Sequence, residues 1–143
     1  MEQVAVFADT SVLYAFLDGG DKHHARVVQT WAELGEAGVN LLTTNYVAVE
    51  SSALLQKRLG LAAVQRLATY LLPAVELEWV LPEEHDAALE ALLLAGKRDL
   101  SLVDCVSFIV MRRLGLERAF TLDPHFREQG FECLPEPAGR SEP

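Results

Sequence analysis

"AFTLDPHF", residues 119–126, decides how this chain folds. Ala119, Phe120, Thr121 and Leu122 read as a short buried strand, which stops at an acid, Asp123, before Pro124 breaks the pattern. The N-terminus repeats the arrangement: in "VAVFADTS", residues 4–11, an apolar run from Val4 to Ala8 ends at Asp9. A strand fit for the core has no reason of its own to deliver a carboxylate at its tip. Where the tips lie decides what the acids are for.

Three more runs have strand character: "VNLLTT" (39–44), "VELEWVL" (75–81) and "FECL" (131–134). Between them the apolar spacing is helical. Ala25, Val28, Trp31, Ala32 and Leu34 make one stripe, ending at Gly38. Tyr46, Val47, Ala53 and Leu54 make another, closed by Gly60, and "LAAVQRLATYLL" runs on to Pro73. Pro82 opens "EEHDAALEALLLAGK", with acids in its first turn and Lys97 and Arg98 at its end, as the helix dipole favours. "SLVDCVSFIVMRRLG" is apolar almost all round as far as Arg112 and Arg113, which predicts a buried helix. Strands alternating with helices imply an α/β fold with a parallel sheet and helices on both faces. Right-handed crossovers put every strand's C-terminal end on one edge, and ligands of such sheets bind there.

A chain of 143 residues is one domain's worth, assigned to 1–135. The remainder, 136–143, has no apolar run and is expected to be disordered. No stretch is long and apolar enough for a membrane span, and the start lacks a signal-peptide pattern, so a cytoplasmic protein is expected. Cys105 and Cys133 fit neither a disulfide framework nor a metal spacing, and Cys105 reads as a small core residue. The net charge of −9 argues at face value against a nucleic-acid partner, unless the acids are segregated or neutralised.

Each acid has an ordinary explanation. Asp9 and Asp123 can cap the helices that follow them, and Ser101 with Asp104 resembles a capping box. Asp104, however, faces Phe108 and Met111 on a helix that should be buried, where an acid needs a partner or a metal. Glu50 has no capping role, because it stands well inside a helix among Tyr46, Val47, Ala53 and Leu54. Its one candidate ion-pair partner on that face is Lys57, two turns away. Four carboxylates at one sheet edge form an oxygen-only donor set suited to Mg²⁺ or Mn²⁺. Two of them ~4 Å apart repel by about 4 kcal/mol at an effective dielectric near 20, so a cation is what would gather them.

These residues resemble the PIN-domain ribonucleases, most closely the VapC-type toxins of bacterial toxin–antitoxin pairs. The resemblance rests on "DTSVLYA" at Asp9, "NYVAVE" at Glu50, "SLVDCVSF" at Asp104 and "TLDPHF" at Asp123, in that order and over nearly the whole chain. It implies a three-layer α/β/α domain with a central parallel sheet of four or five strands. It also implies a Mg²⁺- or Mn²⁺-dependent endoribonuclease cutting single-stranded RNA, with Asp9, Glu50, Asp104 and Asp123 as metal-binding catalytic acids. Thr10 and Thr121 fall where the family often has supporting hydroxyls. His24 and His125 also match family positions, and a helix-start or packing role is expected of both. A cognate antitoxin and a homodimer are further implications.

Other readings meet specific objections. A haloacid-dehalogenase-type phosphatase needs a second Asp where Ser11 stands, and a receiver domain needs paired acids and a late lysine that are absent. A PIN-like processing nuclease without an antitoxin, or a catalytically silent binding module, stays open. The basic pairs Lys57–Arg58, Lys97–Arg98 and Arg112–Arg113 are expected to be solvated helix ends before phosphate contacts.

Overall fold

The computed structural model describes residues 4–136; the tail expected to be disordered lies, but for Glu136, outside the described residues. Five parallel strands, β1 (Ala5–Ala8), β2 (Asn40–Thr44), β3 (Glu76–Glu78), β4 (Arg118–Phe120) and β5 (Glu132–Leu134), form one sheet in the order β3-β2-β1-β4-β5. The chain winds outward from β1 to β3, then returns to the other side of β1 for β4 and β5. The order reverses between β1 and β4, and such a switch point leaves a crevice beyond the strand ends. Asp9 lies at its mouth: its N–H donates to the Phe120 carbonyl at 3.0 Å, extending the β1–β4 ladder by one rung.

Alternation along the strands divides the core. Phe7, Leu42, Ala119 and Cys133 point to one face, where helices α3 (Asn45–Leu59) and α6 (Leu102–Leu114) supply Val47, Leu55, Phe108 and Met111. Val6, Ala8, Leu41 and Phe120 point to the other, covered by Val27 and Leu34 of α2 (His24–Glu36). Helix α1 (Thr10–Leu17) serves both clusters, with Leu13 and Leu17 in the first and Val12 and Ala15 in the second. The three-layer α/β/α arrangement expected from the sequence is present.

Phe126, in the short helix α7 (Pro124–Glu128), stacks on Phe7 at 6.2 Å and meets Phe108 edge-on at 4.9 Å. That trio clamps β1, α6 and α7 together, and truncating such a ring costs about 3–5 kcal/mol. Three of the four acids sit at the ends of these elements, so the core fixes their spacing.

Several elements depart from the sequence reading. Residues 75–81 yield only the three-residue edge strand β3, and Trp79 is left exposed. "LAAVQRLATYLL" begins as α4 (Leu61–Arg66), widens into a π turn over Leu67–Leu71 and closes as a 3₁₀ turn, Leu72–Ala74. It serves the core through Ala63, Leu67 and Leu71 and leaves Leu61 and Tyr70 exposed. Helix α5 (Pro82–Ala95) ends at Gly96, whose φ of 62° is the left-handed conformation glycine adopts without cost, so Lys97 and Arg98 fall beyond its last turn. Cys105 and Cys133 are both buried free thiols, and they belong to different core clusters.

Candidate active site

Asp9, Glu50, Asp104 and Asp123 line one open cleft of ≈ 320 Å³, together with Thr10, Ser11, Leu54 and Ser101. The ordinary roles weighed for three of them are also real. Asp9 caps α1 and Asp123 caps α7, while Ser101 and Asp104 exchange both bonds of a capping box. Capping and clustering coexist because a carboxylate has two oxygens.

The division of labour is consistent. Asp9 Oδ2 accepts from the Ser11 hydroxyl at 2.8 Å and the Thr121 hydroxyl at 2.9 Å, with the Ser11 N–H at 3.4 Å. Asp104 Oδ2 accepts from the Ser101 N–H at 3.0 Å, and Asp123 Oδ1 from the His125 N–H at 2.9 Å. Among the described residues the second oxygen of each makes no hydrogen bond, and Glu50 has neither hydrogen bond nor ion pair. Three held carboxylates and the unpartnered Glu50 thus line one space with oxygens left free.

Their electrostatics follow from burial and crowding. Asp9 is 4% exposed, and burial, with the nearby charges of Asp104 and Asp123, raises its pKa from 3.8 to about 6 against the opposing Ser11 and Thr121 bonds. Burial also raises Asp104, with Asp123 and Glu50 adding repulsion that its Ser101 bonds offset only in part. A cation among these oxygens would relieve both strains.

Thr121 holds Asp9 and also accepts from the Asp123 N–H at 2.9 Å, linking the two strand-tip acids. Thr10 does not touch an acid; it is buried and bonds Ser51 of α3 at 3.3 Å. The phase of α3 also differs from the sequence reading. Its buried stripe is Val47, Ser51 and Leu55, which leaves Glu50 half-buried at the rim and Ala53 exposed. Lys57, the candidate ion-pair partner, is exposed and does not reach Glu50.

Sequence reasoning gave Ser11 no place in the site and His125 a different one. Ser11 donates to Asp9 and accepts from the Leu122 N–H at 2.9 Å, tying the α1 start to the strand tip beyond β4. His125, expected to have a helix-start or packing role, is in the first turn of α7, and its ring stands between two acids: Nδ1 is 2.8 Å from Asp123 Oδ1, off the line a hydrogen bond requires, and Nε2 is 3.3 Å from Asp99 Oδ2. Burial disfavours its charged form, but Asp123 first, then Asp99 and Asp104, outweigh that and raise its pKa. The two flanking acids thus favour the protonated form of the ring. One ligating atom each from Asp104, Asp123 and His125 lie within 4.8 Å of one another. His24, by contrast, anchors a loop by a 2.8 Å contact of Nδ1 with the Ala15 carbonyl.

A model of the PIN domain matches residues 6–132, nearly the whole chain. This chain belongs to the PIN-domain family. The 23S rRNA-specific endonuclease VapC20 of Mycobacterium tuberculosis is 35% identical over 133 residues, covering 92% of this chain and 99% of VapC20. The crystal structure of VapC20, described as a Sarcin-Ricin loop cleaving toxin, superposes with a TM-score of 0.78 at 34% identity, over 88% of this chain and 95% of that one. VapBC2 from Rickettsia felis, bound to a DNA fragment from its promoter, shares the fold with a TM-score of 0.67 at 11% identity, over 91% and 97% of the two chains. Of the acids that the sequence singled out, Asp9 and Asp123 follow strands β1 and β4, and Glu50 and Asp104 lie in helices α3 and α6.

Proposed function

We propose that this PIN domain is a divalent-metal-dependent endoribonuclease that hydrolyses phosphodiester bonds of single-stranded RNA, and that it acts as the toxin of a toxin–antitoxin pair. The observation that carries this reading is the cleft itself: Asp9, Glu50, Asp104 and Asp123 each offer it an unbonded oxygen. The likeness to an endonuclease of 23S rRNA supports the substrate class.

The donor set fits a small hard cation, since four acids line the cleft with oxygen donors. When bound, such a cation supplies activation of water and stabilisation of charge on the reacting phosphate. The chain's own residues supply position. Ser11 and Thr121 fix Asp9, the capping box fixes Asp104, and His125 steadies Asp123. The −9 charge is no obstacle in this reading, because several of those charges lie where cations offset them. Cleavage of 23S rRNA or a single-stranded oligonucleotide with Mg²⁺ or Mn²⁺, and none in EDTA, is the expected result. Equal cleavage with and without the chelator would count against a metal-dependent reaction.

Glu50 offers a separate test, because no cation pairs with it among the described residues. Glu50→Gln keeps the shape and removes one like charge, so in EDTA the variant should melt at or slightly above the parent. A ligand that binds only the folded state adds about 2.7 kcal/mol at a hundredfold excess over Kd. Mn²⁺ should therefore raise the parent's Tm clearly and the variant's much less. A variant several degrees less stable in EDTA, with an unchanged Mn²⁺ shift, would remove Glu50 from the metal site.

A homodimer also belongs to this reading. Leu93 and Leu94 of α5 are 72% and 81% exposed and Trp79 is 67% exposed, surface that a second copy would cover. Analytical ultracentrifugation should show twice the chain mass at micromolar concentration, and a monomer there would exclude it.

A further inference from the structure

A second groove adjoins the acids. It holds ≈ 210 Å³ and adjoins the metal cleft at Asp123, which lines both. Leu122, Pro124 and Pro135 give it an apolar floor, and two guanidiniums, Arg26 from α2 and Arg127 from α7, stand in its lining.

The state of those guanidiniums separates them from most others in the protein. Arg113 is committed to Glu84 and Glu78, and Arg112 to Gln129. Arg66 donates to the Leu17 carbonyl, and Arg58 lies over the Tyr14 ring. Arg26 and Arg127 make no side-chain hydrogen bond or ion pair among the described residues, although Asp and Glu outnumber Lys and Arg by 21 to 12. Of the carboxylates in the groove, Asp123 belongs to the metal cleft and Glu136 is exposed. Arg26 and Arg127 match Asp123 and Glu136 in number, but neither guanidinium is paired with a carboxylate among the described residues. Arg112 and Arg113, expected to be a solvated helix end before a phosphate contact, have their side chains engaged within the protein.

We infer that this groove seats the nucleotide next to the scissile phosphate, with its phosphate on Arg26 and Arg127 and its base or ribose on the apolar floor. The inference rests on the ribonuclease reading and adds where the strand runs: over the Asp123–Pro124 step, out of the metal cleft and toward α2. Guanidiniums free of carboxylate partners suit phosphate oxygens, which accept two parallel N–H bonds. An RNA strand also answers the continuity of the two clefts, which a free anion would not need.

The test separates this inference from the reading beneath it. Binding of a short fluorescent single-stranded RNA is followed by anisotropy in EDTA, where cleavage cannot contribute, between 50 and 200 mM salt. Each phosphate contact contributes about −0.7 to the slope of log K against log salt for single strands. The double variant Arg26→Gln/Arg127→Gln should have a slope shallower by about 1.4, so the parent loses roughly sevenfold more affinity over that range. The Lys double variant should restore the slope, and Arg118→Gln, at the opposite edge of the sheet, should leave it unchanged. With Mg²⁺, the Gln variant should raise KM and hold kcat, as loss of uniform binding does. Slope and KM equal to the parent's, with cleavage intact, would overturn the groove and leave the ribonuclease standing. A parent that binds no RNA in EDTA overturns the groove as well, and a parent that never cuts RNA overturns both.

Discussion

Asp9→Asn and Asp104→Asn should each lower RNA cleavage by more than about 100-fold while the protein stays folded. Loss of a group that merely orients a metal ligand costs 10–100-fold, so loss of a ligand's charge should exceed that range. Asparagine is the informative replacement because both acids also cap helices. It keeps an oxygen for the Ser11 and Thr121 hydroxyls at position 9, and for the Ser101 N–H at position 104. Alanine would remove the cap as well, at about 1 kcal/mol of stability, and confuse the two roles. Thr121→Val makes the graded counterpart: it leaves every acid in place but takes one of its two hydroxyl donors from Asp9 and the acceptor from the Asp123 N–H, and should cost about 10–100-fold. Either Asp→Asn variant cutting as fast as the parent would show that the cleft is not the active site.

Stability of the metal-free protein should depend on Asp9 in the direction opposite to most carboxylates. Its pKa of about 6 in the fold lies above the ordinary 3.8, so the folded state holds a proton that the unfolded chain releases. The contribution is fully present below about pH 4 and is lost as pH rises through 6. From 3.8 to about 6 the difference amounts to about 3 kcal/mol at 1.36 kcal/mol per unit. Other groups pull the other way: Arg113 and the Leu81 N–H outweigh burial at Glu84, and Tyr14 and the Gly20 N–H hold Asp18 down, so acid weakens both. Comparing the parent with Asp9→Asn cancels those terms. In EDTA, the parent should lose roughly 3 kcal/mol relative to the variant between pH 4 and pH 7. Parallel stability profiles over that range would mean that Asp9 ionises freely in the fold.

Much of this site was legible because its acids break local rules. A carboxylate ending a buried strand, or standing mid-helix without a partner, is a cost that sequence alone reveals. The topology follows from alternation, and it puts Asp9 and Asp123 on one edge before any coordinates are known. What the sequence hid depends on phase and on long-range contact. Ser51, a polar residue, occupies the core position of α3, so the apolar pattern pointed to a stripe rotated away from the true one. Ser11 meets Thr121 at 3.3 Å across 110 residues of chain, and no local spacing announces that. The setting of the His125 ring between two acids was hidden for a different reason: Asp99, its second carboxylate, comes from the loop before α6 and is distant in sequence. Capping does not exclude a ligand role, since Asp9, Asp104 and Asp123 each use one oxygen at a helix start and keep the other.

The central claim is that the four carboxylates gather around a divalent cation. A crystal grown or soaked with Mn²⁺, with data collected for anomalous scattering, reads this without reference to activity. The account predicts an anomalous peak in the cleft between Asp9 and Asp104, with carboxylate oxygens at about 2.1 Å. It predicts further that Glu50 or Asp123, or a water held by them, completes the shell. A cleft with no peak at saturating Mn²⁺, or ions bound only elsewhere on the surface, would contradict it.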